Sequence, residues 1–174
     1  MSKYIKQINT QEDTLYNNIL LLSRNKLFYT KFDLIDAFHN RIHLIFIHIS
    51  FIFIKIKQNH KNRMFKIFYQ NLFDLIFKNI ELNMREIGYG DTSINKNMRF
   101  LTKTFYNVLL HCEKYKNMNE EEKKVFFNKY LAQNNIKNDA NIKAVVEYFN
   151  KYEAFCFDLP SDSVLKGELK FNYK

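Results

Sequence analysis

From Phe65 to Ile87 the chain keeps one spacing: Phe65, Tyr69, Leu72, Ile76, Ile80, Met84 and Ile87 recur at steps of three or four, while Lys66, Gln70, Asp74, Lys78, Glu81 and Arg85 fall between them. This is the period of an α-helix with one apolar face; a strand alternates every second residue and cannot present it. Such a helix has to bury its stripe against other elements, and little in the chain suggests a sheet. One proline and three glycines in 174 residues leave the turns that punctuate strands almost missing. The predicted fold is all-α, a single compact bundle over residues 1–174, long enough to close one core without disulfides or metals.

The same reading places the other helices. Gln11 to Ser23 carries Leu15, Ile19 and Leu22 at helical spacing behind Thr10, a good N-cap residue. Leu27, Phe28 and Tyr29 form an aromatic corner. The run Ile42 to Ile54 is the most apolar stretch, yet it holds His43, His48 and Ser50 and ends at Lys55 and Lys57. A membrane span needs about 20 apolar residues, so this run is predicted to be a buried core helix. Gly88 ends the 65–87 helix as a C-cap glycine. The next helix carries Met98, Leu101, Phe105, Val108, Cys112 and Tyr115, with Thr92 or Ser93 as its cap. Asn119 with Glu122 forms a capping box, Asp139 caps the last long helix, and Pro160 stops it. Residues 161–174 show no period. The count is about six helices in one bundle.

Charge is uneven. Of the net +9, residues 1–60 carry +4, residues 61–116 carry +5 and residues 117–174 carry none. This bias favours acidic surfaces such as ribosomal RNA, anionic lipid or acidic proteins, although an AT-rich genome also raises Lys, Asn and Ile. A basic ribosome- or RNA-associated helical binding module is therefore one reading of this charge. Cys112 and Cys156 have neither CxxC spacing nor a histidine cluster, which points to idle thiols in a reducing compartment. The start, MSKYIKQINTQEDTLY, has no apolar core of a secretory signal and contains Glu12 and Asp13, so a cytoplasmic location is expected.

No catalytic pattern emerges. Asp36, His39 and His43 share a helical spacing that metal sites use, but a fourth ligand is missing. Gly88-Tyr89-Gly90 lacks the third glycine and preceding strand of a dinucleotide loop, and Gly90-Asp91 lacks the Lys-Ser/Thr of a phosphate loop. His111 and Cys112 are neighbours about 100° apart on a helix and so form no nucleophile–base pair. Eighteen Phe and eleven Tyr at core spacing exceed what a small bundle needs, leaving some to line a groove for apolar partner helices. Neither enzyme activity, metal, cofactor nor small-molecule substrate is expected.

The segment Asn83-Met84-Arg85-Glu86-Ile87-Gly88-Tyr89-Gly90-Asp91, then Lys96, then Phe105-Tyr106, resembles the signature of the ubiquinol-cytochrome c chaperone family. Leu15-Tyr16, Phe28-Tyr29, Asp36 and Arg41 before an apolar helix with His48 resemble its N-terminal half, and Gly167-Glu168-Leu169-Lys170-Phe171 is similar to the close of its bacterial members. Asn40 stands where the family's glycine is expected before Arg41; Asn tolerates positive φ, so a bend is expected there. The resemblance implies a helical, soluble protein without cofactor that assists biogenesis of cytochrome b in the bc1 complex. It also implies partners among newly made cytochrome b, another bc1 assembly protein and the ribosome, and a peripheral place at the inner membrane. The expected site is a polar corner of Arg85, Glu86, Gly88, Gly90, Asp91 and Lys96, with Phe105 and Tyr106. Arg85 is expected to pair with Asp91 or Glu86, and an adjoining apolar groove to hold client segments.

Overall fold

A computed structural model describes residues 10–59, 61–132 and 139–173. They contain helices α1 (Gln11–Ser23), α2 (Leu27–Thr30), α3 (Phe38–Lys57), α4 (Arg63–Glu86), α5 (Asp91–Lys114), α6 (Glu120–Phe127), α7 (Asp139–Asp158) and α8 (Ser161–Leu165), with a 3-10 turn at Tyr115–Asn117 and a π turn at Asn128–Ala132. No strand occurs among the described residues. Six of these helices are those predicted. The additional two, α2 and α8, have four and five residues, too few to display a period.

α3 is the axis of the bundle. Every residue from Ile42 to Phe53 is buried, and α1, α4, α5 and α7 pack around it, α5 most extensively. A helix apolar on all sides has this fate in a helical core. No helix among the described residues is long and apolar enough to cross a membrane. The two polar residues at the centre of α3 are each bonded: Ser50 donates to the Phe46 carbonyl at 2.6 Å, and His48 lies 2.7 Å from the Leu44 carbonyl and 2.9 Å from the Tyr148 hydroxyl. α4 and α5 form an antiparallel hairpin on one side, and Phe105 of α5 is wholly buried among Phe46, Phe53, Phe73 and Phe77.

Helix ends follow local chemistry. Thr10 and Asp13, and again Asn119 and Glu122, make reciprocal capping boxes. Three predicted details differ. α5 begins at Asp91 with Gly90 before it, so neither Thr92 nor Ser93 is the cap; three adjacent residues that can all start a helix leave the choice to tertiary contacts, and Arg85 engages Asp91. Asp139 lies inside α7 rather than before it, and its carboxylate takes Lys124 at 3.0 Å and Lys143 at 3.1 Å. Asn40 lies within α3 without positive φ, its side chain donating to the Ile35 carbonyl at 2.8 Å. The chain makes its left-handed step earlier, at Asp33, which frees Asn40 to remain helical.

Candidate functional site

The hairpin turn joining α4 to α5 gathers the polar corner. Arg85, in the last turn of α4, reaches Glu81 at 2.8 Å and Asp91 at 2.6 Å. Asp91 is the expected partner. Glu81 replaces Glu86 as the second, because residues four apart on a helix share a face while neighbours do not. The two carboxylates raise the guanidinium pKa still further. Asp91 also sits in the first turn of α5, where a negative charge complements the helix dipole. Gly88 has φ +93, the left-handed value a C-cap glycine supplies, and closes the turn by donating to the Arg85 carbonyl while Tyr89 donates to that of Met84. Lys96 is exposed on the next turn of α5 and makes no ion pair among the described residues. Arg85, Glu86, Gly88, Gly90, Asp91 and Lys96 are all exposed, so the corner is a surface feature rather than a buried lock.

Glu86 has a different neighbourhood. With Asn83 and Ile87 it lines a hollow of about 160 Å³ whose other walls are Ser23 and Arg24 at the end of α1 and Phe38, Arg41, Ile42 and Ile45 of α3. Arg41 forms a two-pronged pair with Asp36, at 2.5 and 2.7 Å. That hydrogen bonding lowers the Asp36 pKa. Two family-like segments distant in sequence, Asp36–Arg41 and Asn83–Asp91, thus meet at one end of the molecule. The pairing also removes Asp36 from the histidines. His39 and His43 do share a face of α3, their ring centres 6.3 Å apart, but His43 Nδ1 is 2.6 Å from the Tyr130 carbonyl, and no group of three His, Cys, Asp or Glu among the described residues is arranged to hold a metal.

The Phe105-Tyr106 pair divides between core and surface. Phe105 fastens α5 to α3 and α4, whereas Tyr106 is 47 % exposed. It borders an apolar groove of about 440 Å³ lined by Phe53, Ile56, Phe65, Tyr69, Leu109 and Leu110, with Lys57, Lys66 and Glu113 at its lip. This groove does not adjoin the corner. Phe65 and Tyr69 lie at the start of α4 and Arg85 at its end, about 24 Å apart at the rise of an α-helix. The groove occupies the open end of the hairpin and the corner its closed end. Sequence reading named Tyr106 without its setting, since three separate segments build the groove walls.

The family model described as ubiquinol-cytochrome C chaperone matches residues 30–171, a stretch that includes both ends of the hairpin. No curated protein matches the chain. Among solved structures, the crystal structure of the Cbp3 homolog from Brucella abortus shares its fold with a TM-score of 0.81, at 18 % identity over 94 % of this chain and 89 % of that one. The family match runs from the end of α2 through the C-terminal Phe171 segment and takes in the Arg85–Asp91 turn, the Phe105-Tyr106 pair and the core helix α3; on that ground the chain belongs to the ubiquinol-cytochrome c chaperone family.

Proposed function

We propose that this protein is a non-catalytic assembly chaperone for the cytochrome bc1 complex, binding newly made cytochrome b or an assembly partner. The observation that carries the reading is the family match across residues 30–171, which covers the surface corner and the apolar groove together. Two binding surfaces on one rigid hairpin suit a protein that holds one polypeptide while meeting another. The chemistry of the interior agrees with a holding role: burial pushes the Cys112 and Cys156 thiols far up, so neither supplies a thiolate nucleophile. Contact with the ribosome and a peripheral place at the inner membrane belong to the same proposal, supported by the basic excess of residues 1–116.

The corner is proposed as the partner contact. Its ion pairs are solvent-exposed, and exposed pairs contribute little to folding. Arg85→Ala is therefore expected to melt within about 3 °C of the parent chain, while bc1 activity in cells carrying it falls. Thermal melting and a ubiquinol-dependent cytochrome c reduction assay, read on the same variant, decide between roles. Stability and assembly lost in proportion would make the corner structural. Deleting the gene is expected to deplete cytochrome b; unchanged cytochrome b in the deletion strain would end the assembly reading itself.

A further inference from the structure

We infer that the groove at the open end of the α4–α5 hairpin is a seat for about two turns of an apolar client helix that carries acidic residues beside its apolar face. The inference rests on the chaperone reading above and names the kind of segment held.

Shape argues first. From Tyr106 to Glu113 the α5 wall is two turns long, about 10 Å, and α3 and α4 supply the floor and the opposite wall. A groove of this form receives large side chains spaced i, i+3 or i+4, and i+7 on one helix. A flat bilayer surface would leave it unfilled. Tyr106 and Leu110, both lining the groove, are 47 % and 56 % exposed, and Met64, Ile67 and Phe100 are further exposed apolar residues of α4 and α5. Large apolar side chains left exposed at a groove on a charged protein mark a contact site.

Charge identifies the occupant. Among the described residues Glu113 is the one acid lining the groove, and it is bonded to Lys57 at 2.7 Å. Lys66 stands on the lip with no ion pair among the described residues. Lys61 and Arg63 lie just before it and Lys103 one turn before Tyr106. The unbalanced charge around an apolar floor is positive, so an apolar helix flanked by Glu or Asp is attracted and one flanked by Lys or Arg is repelled.

The test uses the purified full chain and two fluorescein-labelled synthetic helices with the same leucine face, one flanked by Glu and the other by Lys, with binding read by anisotropy. The Glu-flanked helix is expected to bind at least about tenfold more tightly. Leu110→Glu should weaken it by about tenfold or more, without loss of melting temperature since Leu110 is half exposed, and Lys66→Glu should narrow the preference between flanks. Equal binding of both helices, or binding indifferent to Leu110→Glu, overturns the inference. So does sedimentation with phosphatidylglycerol vesicles that Leu110→Glu abolishes while neither helix binds, which would make this a membrane face, and so does a dimer that Leu110→Glu dissociates. The measurement needs no bc1 complex, so it fails independently of the assembly reading. Normal bc1 assembly in cells carrying Leu110→Glu, a variant that no longer binds the helix, would overturn the groove as the client's seat and leave that reading standing.

Discussion

Acidification from pH 7 to pH 4 is expected to remove about 3 kcal/mol of folding stability through His48 alone. This ring is completely enclosed in the core, against Phe28, Tyr148, Phe149 and Tyr152. Its Nδ1 is 2.7 Å from the Leu44 carbonyl, which can only accept, so Nδ1 carries the proton and Nε2 accepts from the Tyr148 hydroxyl at 2.9 Å. The neutral ring is thus satisfied, and burial pushes its pKa down to about 4 from 6.5. The unfolded chain takes up a proton near pH 6.5 and the folded one only near pH 4, so the unfolded state binds more protons between these values and stability falls as pH falls. The contribution is complete above pH 6.5, reduced by about 2 kcal/mol at pH 5, and gone below pH 4. His43, shifted down by burial as well, adds in the same direction. Asp36 and Asp139, whose pKa values are lowered from 3.8 by Arg41 and Lys124, lose their contributions only below this window. Denaturant midpoints at pH 7, 6, 5 and 4 measure the effect. His48→Gln is expected to start less stable at pH 7 and to show a flatter dependence; a slope equal to that of the parent chain would remove His48 as its source.

What could be read without the structure was what local chemistry decides. The bounds of α1 follow from its apolar spacing behind Thr10, the capping box of Asn119 and Glu122 from two residues three apart, and α3 from an apolar run too short to span a bilayer and too long for a loop; the box that Asp13 closes with Thr10 was missed. The Arg85–Asp91 pair was legible for the same reason, since a short turn holds its members close in sequence. Glu81 was missed although it stands one helical turn before Arg85, a spacing that alone pointed to it. The groove was not legible. Its walls come from residues 53–57, 65–69 and 106–113, and only the crossing of α3, α4 and α5 brings them together, which no periodicity within one helix encodes. The hollow that joins Arg24 and Arg41 to Glu86 is of the same kind.

Gly167→Ala is expected to cost about 3 kcal/mol and lower the melting temperature by roughly 8 °C. Gly167 has φ +74, and a methyl group there would stand 2.7 Å from the Gln11 carbonyl oxygen, 2.9 Å from Thr14 Cβ and 3.1 Å from the Leu15 nitrogen. The left-handed conformation costs an alanine about 1 kcal/mol, and two of the three close atoms are backbone of α1, which cannot swing aside as a side-chain tip can. The same residue accepts a hydrogen bond from Asn18 at 2.8 Å and directs Leu169 and Phe171 into the core, Phe171 against Tyr148, Tyr152 and Phe155. A methyl at this point pries the closing segment from α1. Gly90 offers the contrast: its φ is −76 and nothing lies within 4 Å of an added Cβ, so Gly90→Ala is expected to stay within about 0.5 kcal/mol of the parent chain. The closing glycine therefore serves the fold, whereas open space surrounds the corner glycine. Paired melts of the two variants test the assignment: a destabilised Gly90→Ala, or a Gly167→Ala that melts like the parent, reverses it.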